Sequence, residues 1–563
     1  MTDLGEPQPL RVRWLGPVRY RDALALQHAV FASDYNYLLL LEHPHVFTLG
    51  RHGDVSHVLV DPASVNADLA EADRGGDVTY HGPGQLVGYP IVTVGGKRGG
   101  GMADTVAYVR SVEQLIIEVL ADVGLAGAGR MREYPGVWID ADGPRPRKIA
   151  AIGVRLTRGR TMHGFALNVA PDMAYFGHIV PCGIADYAVT SLAEEGIEVS
   201  MHDVVNAVVR RAAPLWGAEV DRADLAWRVS DNDLSGFTRG EGAPVRVRAR
   251  RREAGLTEGL AMRERKPSWM RVQLDTGPEY RRLRALAREL GLVTVCEEAG
   301  CPNIFECWNN GTATFMINGE RCTRACGFCQ VDTRKPTVLD PDEPARIGDA
   351  IARMGVQYAV ITTVARDDLA DGGAGAMAAT VAAIRASCPG VKVETLISDC
   401  KGDPDALALI FAARPDVLNH NIETVLRLQR VVRPSASYAR SLAVLARAKV
   451  QDLTTKSSII VGIGETFDEI VQTMRDLHAV GVDIVTIGQY LRPSENHLPI
   501  AQWWTPEDFA AWKRIGENEI GLGHVEASPL TRSSYHAREA GAAWFDGGRH
   551  TAIAGHRRTN QLM

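Results

Sequence analysis

The sequence predicts an α/β protein made of two units: an N-terminal α+β domain and a C-terminal partial (β/α)6 barrel carrying a cysteine-rich extension. Three observations predict it. In the second half, apolar runs rich in strand formers recur at regular spacing and alternate with helix-like segments. Six of the nine cysteines crowd into one stretch ahead of the second of those runs. Between the halves lies a polar, glycine-containing segment with the run R-V-R-A-R-R-R-E and no sustained hydrophobic period, which reads as a linker. At 563 residues the chain is too long for one core, and its 45% hydrophobic and 23% charged residues exclude disordered and fibrous classes. The expected organisation is residues 1–230, a linker over 231–264, and residues 265–563.

In the N-terminal unit the strands are expected in Y-N-Y-L-L-L-L, G-V-W-I-D and I-A-A-I-G-V-R-L, with a helix from Thr105 to Val123. Their order in a sheet is not set by the sequence. The richest local feature is R-G-G-D-V-T-Y-H-G-P-G-Q-L-V-G-Y-P from Arg74, too glycine-rich for a regular element and read as a ligand-lining loop. Further on, F-G-H-I-V-P-C-G-I sets Cys182 between proline and glycine in a turn, the sole cysteine of this half. A nearby cation would raise its thiolate fraction, and Lys148 in K-I-A-A-I-G is the candidate.

In the C-terminal unit six strands are expected: T-A-T-F-M-I, Y-A-V-I-T-T-V, V-K-V-E-T-L-I, D-V-L-N-H-N-I, T-K-S-S-I-I-V-G and I-V-T-I-G-Q-Y. Near-continuous apolar strands alternating with helices imply a parallel sheet that curls. Polar residues gather where these strands end, namely Thr363, Arg366, Asp399, Asn421, Glu423, Glu465 and Gln489, and that end forms the active face of such barrels.

The cysteines carry the chemistry. Cys322, Cys326 and Cys329 form a C-x3-C-x2-C loop, and three such thiolates hold three irons of a [4Fe–4S] cube, leaving the fourth iron open. Cys296, Cys301 and Cys307 form C-x4-C-x5-C, spaced for a second cluster. The first residues lack the apolar core of a secretory signal and the run Tyr37 to Leu41 is too short to span a bilayer, so the expected compartment is the cytoplasm, with no membrane partner. There, clustered thiols read as metal ligands rather than disulfides. A net charge of −6 with no strongly basic half excludes nucleic acid as main partner. Cys388 and Cys400 lack partners at ligand spacing and are read as packing or surface thiols.

The second half resembles the radical S-adenosylmethionine enzymes and, through R-K-P-S-W-M-R-V, both cysteine trios, A-R-D-D-L-A-D-G-G-A and R-S-S-Y-H-A, the lipoyl synthases. The resemblance covers residues 265–537 and implies two [4Fe–4S] clusters and S-adenosyl-L-methionine. Cys322, Cys326 and Cys329 would hold the radical-generating cluster; Cys296, Cys301, Cys307 and Ser534 an auxiliary cluster consumed as sulfur donor. Without the cysteines, Ser533 and Ser534 read only as turn or cap residues. Asn421, Glu423 and Glu465 are the candidate contacts to S-adenosylmethionine, each equally open to a structural role. The family's V-x-R-D-D element is V-A-R-D-D here, and the family's glycine before the proline near Ser528 is replaced.

Over about Leu10 to Trp216 the first half resembles the lipoyl(octanoyl) transferases, within the fold shared with lipoate and biotin protein ligases. That implies Cys182 as nucleophile, Lys148 as the group lowering its pKa, and an acyl site along Arg74, Gly75, Gly76, Asp77, Val78, Thr79, Tyr80 and His81, along Ala151, Ile152 and Gly153, and along Gly164, Phe165 and Ala166. His81 is read as either a base or a positioning group. The implied partners are octanoyl-acyl carrier protein, lipoyl carrier domains (2-oxoacid dehydrogenase E2 subunits and the glycine cleavage H protein), an electron donor and an iron–sulfur carrier protein. The expected function is a bifunctional acyltransferase and sulfurtransferase of lipoate biosynthesis. The competing readings are an ATP-dependent lipoate ligase in the first half, and a zinc or iron–sulfur scaffold or redox regulator, or a sulfur-inserting relative such as biotin synthase, in the second.

Overall fold

The computed structural model describes residues 9–33, 35–95, 103–180, 187–217, 219–224, 256, 259–262, 264–271, 277–289, 294, 303–309 and 312–534. The chain divides into two compact units, Met1–Ser230 and Asp231–Met563.

The first unit is built on a mixed sheet whose strands run in the order Val220–Asp224, Leu10–Pro17, Tyr37–Glu42, Gln85–Ile91, Arg160–Asn168, Arg147–Thr157, Val137–Ile139, Ala128–Gly129. Ala188–Val189 adds alongside Arg147–Thr157. The helix Thr105–Asp122 starts where the Asp104 carboxylate accepts the Ala107 N–H at 3.0 Å, and its apolar residues repeat at helical spacing as Val112, Ile116 and Val119. Together with Val204 and Val208 of the helix Met201–Trp216 they bury Leu38, Leu40 and Leu167 of the sheet. A small sheet, Asp68–Glu71, Val46–Leu49 and Val78–His81, has its own core of Phe47, Val78, Tyr80 and Ile179.

In the second unit seven parallel strands follow one another in chain order: Thr312–Ile317, Tyr358–Thr363, Lys392–Leu396, Val417–Asn419, Thr455–Val461, Ile484–Gln489 and His524–Ser528. The last of these was not among the six expected from sequence. Its H-V-E-A-S has no apolar run, because only Val525 of its five residues is buried. Ile361, Val393 and Leu418 join the core shared with the helices, and residues of opposite parity meet a different environment. There the Lys456 ammonium, fully buried, lies 3.1 Å from Glu394, whose carboxylate also accepts from Tyr358 Oη at 3.0 Å and Asn419 Nδ2 at 2.9 Å. Leu256 and residues 259–262, late in the expected linker, belong to this unit: Leu260 N donates to Ile500 O at 2.8 Å. Among the described residues no helix is long and apolar enough to cross a membrane.

Removing one member of a buried ion pair leaves the other charge without compensation. Lys456→Met is expected to destabilise the second unit by about 3–5 kcal/mol in urea unfolding. An unchanged midpoint would show that the pair contributes nothing.

Candidate functional site

Two regions carry chemistry-bearing side chains, one in each unit. In the first, Lys148 occupies a β-bulge: Trp138 pairs with Lys148 but Val137 pairs with Ala150, leaving Ile149 as the extra residue. Such bulges re-aim side chains. The Lys148 ammonium lies over the Trp138 ring, 4.7 Å from its centroid, a cation–π contact. Gly136 makes room for it. At φ +135° it favours glycine, and a Cβ there would stand 2.7 Å from Ala150 O and 3.3 Å from Lys148 Cε.

Cys182 lies outside the described residues; the chain that follows it returns to this spot. Before it, Ile179 bridges to Val58 and Val180 N donates to His57 O at 2.8 Å. After it, the Tyr187 ring packs edge-on against Trp138 at 5.6 Å, and Val189 pairs directly with Lys148.

The three segments expected to form the acyl site meet. Gly153, Ile152 and Ala151 pair in antiparallel register with Gly164, Phe165 and Ala166, and Gly75 N donates to Val154 O at 3.2 Å. Arg74 is buried and braces its own loop, donating to Gly75 O, Asp77 O, Thr48 O and Thr48 Oγ1. Gly76 O accepts from His52 N, and the Asp77 carboxylate bonds His57. Val78, Thr79, Tyr80 and His81 form the last strand of the small sheet, where the Tyr80 hydroxyl bonds His45 at 2.8 Å. His81 is buried, donates from Nδ1 to Gln85 Oε1 at 2.7 Å, and is held well below its usual pKa by burial and by His43. It is neutral at neutral pH.

The sequence reading missed Asp73, whose carboxylate is shared by His163 Nε2 at 2.5 Å and by Arg155. The His163 bond keeps Asp73 far below the usual carboxylate range. It fastens the start of the 74–81 segment to both strands of the acyl site. His163 carries the one hint, a polar residue inside an apolar strand sequence.

In the second unit the loop after the first barrel strand carries Cys322, Cys326 and Cys329, three partly buried cysteines. Arg324, two residues from Cys322 and from Cys326, is buried and donates to Asp367 at 2.7 Å and to Asp399 at 2.6 Å. Asp399 also accepts from Arg440 at 3.2 Å, and both arginines hold its carboxyl far below its ordinary range against the opposing effect of burial. Backbone bonds pin the rest: Cys322 N to Asp332 O, Gly327 N to Val432 O and Leu498 N to Gly327 O. His497 Nε2 donates to Cys329 O at 2.9 Å. The R-D-D element thereby acquires a reason. Arg366 ties Asn318 and Thr337 carbonyls together and pairs with Asp368, while Asp367 holds Arg324 and Thr323.

Around the same mouth, Asn421 donates from Nδ2 to Glu423 at 3.0 Å, and its Oδ1 is buried without a hydrogen-bond partner among the described residues. Glu423 has φ +65°, a backbone state that non-glycine residues adopt at a cost. Burial raises its pKa against the pull of Arg433. Glu465 is differently placed. Its carboxylate accepts from Gly462 N, Ile463 N and Trp504 Nε1, so it shapes the G-I-G-E turn. Gln489 likewise serves Trp504 N and Gln502 O.

Of the first cysteine trio, Cys296 and Cys301 lie outside the described residues. Cys307 sits in the short helix Ile304–Asn309, packed on the barrel core. Asn303, at the start of that helix, donates from Nδ2 to Leu530 O at 2.7 Å, close in sequence to the half-buried Ser533 and Ser534. Ser528, standing where the family pattern has glycine, bonds Thr531 Oγ1 at 2.8 Å and closes the turn. Cys400 is buried and Cys388 is partly buried against the same core, as packing thiols.

The donor chemistry of the 322–329 loop fits an iron–sulfur cluster: three cysteines on one tightly hydrogen-bonded loop. Burial raises the Cys322 thiol and pushes Cys326 up to about 11, so binding would displace protons. Among the described residues no three His, Cys, Asp or Glu side chains are gathered so as to hold a metal ion by themselves. The orphaned Asn421 Oδ1 beside the Glu423 carboxylate fits a ligand with an ammonium group.

Comparison with known proteins agrees with this division. Residues 19–213 match the lipoyl protein ligase A/B catalytic domain, residues 316–477 the radical SAM superfamily, and residues 230–301 the N-terminal domain of lipoyl synthase of the radical SAM family. The chain thus joins a lipoyl ligase or transferase type of catalytic domain to a radical S-adenosylmethionine domain. The lipoyl synthase of Rubrobacter xylanophilus is 54% identical over 301 residues, 53% of this chain and 91% of that protein. The lipoyl synthase of Nocardia farcinica is 55% identical over 274 residues, covering 49% and 78%. A solved bi-partite lipoate protein ligase system from Thermoplasma acidophilum aligns with 39% of this chain and 88% of its own at 19% identity and a TM-score of 0.33, too slight a likeness to bear on activity. Over its C-terminal part the chain belongs to the lipoyl synthase family, which implies S-adenosylmethionine and iron–sulfur cofactors.

Two outcomes follow. Asp399→Ala deprives Arg324 and Arg440 of a shared buried acceptor and is expected to cost about 3 kcal/mol and to speed amide exchange over residues 322–329; unchanged exchange would mean that the loop is held elsewhere. His43, buried and donating from Nδ1 to Val18 O while accepting from Tyr89 Oη, titrates at about 4. Its folded value is depressed below the unfolded one, so its contribution is present above about pH 6.5 and is lost as pH falls toward 4, about 3 kcal/mol in all. Urea unfolding of the first unit from pH 7 to 4 should show this loss, and His43→Asn should flatten it.

Proposed function

We propose that this chain is a cytoplasmic, fused lipoate-assembly enzyme, an octanoyltransferase over residues 1–230 joined through residues 231–264 to a lipoyl synthase over residues 265–563. The first half transfers an octanoyl group from octanoyl-acyl carrier protein to a lysine of a lipoyl carrier domain, on 2-oxoacid dehydrogenase E2 subunits and the glycine cleavage H protein. The second half inserts sulfur at C6 and C8 of that group. The observation that carries the reading is the pairing, on one chain, of a lysine set beside the strand that follows the P-C-G segment with a braced cysteine loop at the mouth of a radical S-adenosylmethionine barrel.

For transfer, the Cys182 thiolate attacks the thioester carbonyl, the carrier-protein thiol leaves, and the acyl group rests on Cys182 as a new thioester. The carrier lysine amine then attacks that carbonyl, an amide forms, a proton is released and the thiolate returns. Covalent storage lets two bulky proteins visit in turn. The Lys148 ammonium would favour the thiolate, and the paired strand segments 151–153 and 164–166 under the 74–81 segment would receive the chain.

For insertion, Cys322, Cys326 and Cys329 would hold one [4Fe–4S] cluster, and Cys296, Cys301, Cys307 and Ser534 a second. When bound, the clusters and S-adenosylmethionine supply a 5′-deoxyadenosyl radical and the sulfur. Asn421 and Glu423 would orient the amino group of S-adenosylmethionine, while Glu465 keeps the G-I-G-E backbone in place for its approach. Ser534 as the fourth ligand would offer the cluster a harder donor than a thiolate, and so a weaker hold at that corner. A low-potential electron donor and an iron–sulfur carrier that rebuilds the spent cluster complete the set of partners.

The transfer half is tested by denaturing mass spectrometry of the full chain after brief exposure to octanoyl-acyl carrier protein without ATP. An octanoyl adduct on the peptide holding Cys182, absent from Cys182→Ala, is the expected result. Acyl transfer that proceeds only with ATP, or that survives Cys182→Ala, would replace the transferase with a ligase.

A further inference from the structure

Asn303 joins two stretches of chain 227 residues apart. Its backbone carbonyl accepts the Cys307 N–H at 3.0 Å, which begins the helix Ile304–Asn309, and its side chain donates to Leu530 O at 2.7 Å. The residue is 4% exposed and the bond part-buried, which strengthens it.

The stretch it grips is itself fixed on the barrel. Thr531 is buried, its N–H is donated to Ser528 O at 3.1 Å, and Gln489 N donates to Pro529 O at 3.3 Å. Gly488 lies so close beneath that a Cβ there would stand 1.9 Å from Thr531 O. The chain from Leu530 to Ser534 therefore leaves the sheet from a set point, and the Asn303 amide ties the Cys307 helix to that point.

We propose that Asn303 is a positioning residue of the second cluster: a clasp that keeps the Cys307 side of the site opposed to the Ser534 side. The inference rests on the assignment of both residues to that cluster. It also explains why a tie is needed here. Cys307 belongs to a short helix and Ser534 to an irregular segment, and no strand pairing links the two among the described residues. The first cluster has no such need, because its three ligands share one loop.

The test uses the full chain, reconstituted anaerobically with ferrous iron and sulfide. Wild type should hold about eight irons, two [4Fe–4S] clusters. Asn303→Asp starts a helix as well as asparagine does but loses the N–H donor. It should hold about four irons, keep the electron paramagnetic resonance signal that responds to S-adenosylmethionine, keep forming 5′-deoxyadenosine, and insert no sulfur. Asn303→Gln, which retains an amide donor, should recover part of the missing iron. Loss of both iron quotas, loss of neither, or a glutamine variant no better than aspartate overturns the clasp. A wild type that never exceeds about four irons removes the two-cluster assignment, and the clasp with it.

Discussion

The second unit depends on a single guanidinium. Arg324 sits inside the cysteine loop, points into the barrel and is shared by Asp367 and Asp399, which stand after neighbouring strands. An arginine buried there is tolerable only because its charge is matched twice and Arg440 balances the second carboxylate. The consequence is a loop whose backbone is held by the protein's own charges and hydrogen bonds. Three backbone bonds and the His497 contact then finish what the ion network starts. The network thus trades the desolvation of four charges for a fixed ligand loop at the C-terminal face of the sheet, the end at which such barrels do their chemistry.

The first unit solves a different problem, that of aiming a cation. Its lysine lies on a strand whose ordinary alternation would not offer it to the Trp138 face, and one extra residue in the ladder changes that. The Trp138 ring, itself packed against Tyr134 and Tyr187, receives the cation on its face. Asp73 works at the other end of the site, where His163 and Arg155 hold it and so hold the glycine turn that follows.

Much of this was legible in the sequence because it is written in local signals. Apolar runs announced six barrel strands, and cysteine spacing announced the loop that follows the first of them. The seventh strand was not legible, since an edge strand with one buried residue has no run to detect. Nor were the partners of the polar strand-end residues. Asn421 and Glu465 look alike as polar groups after apolar strands, yet one has a buried acceptor without a partner among the described residues and the other is consumed by three protein donors. Arg324 was hidden among cysteines that drew the eye, and Asn303 spoke only through a contact with a residue far along the chain. Long-range side-chain bonds of this kind leave no periodicity behind.

The central claim is that two consecutive steps on one acyl group are carried by one chain. The direct measurement is the intact mass of an unmodified lipoyl carrier domain after anaerobic incubation with this protein, octanoyl-acyl carrier protein, S-adenosylmethionine and a low-potential reductant. The account predicts an octanoyl adduct in every mixture containing the acyl donor, and a dithiolated adduct only when S-adenosylmethionine and reductant are both present. A carrier that gains the octanoyl group but never sulfur, with both clusters in place, would contradict the account, as would one that gains neither.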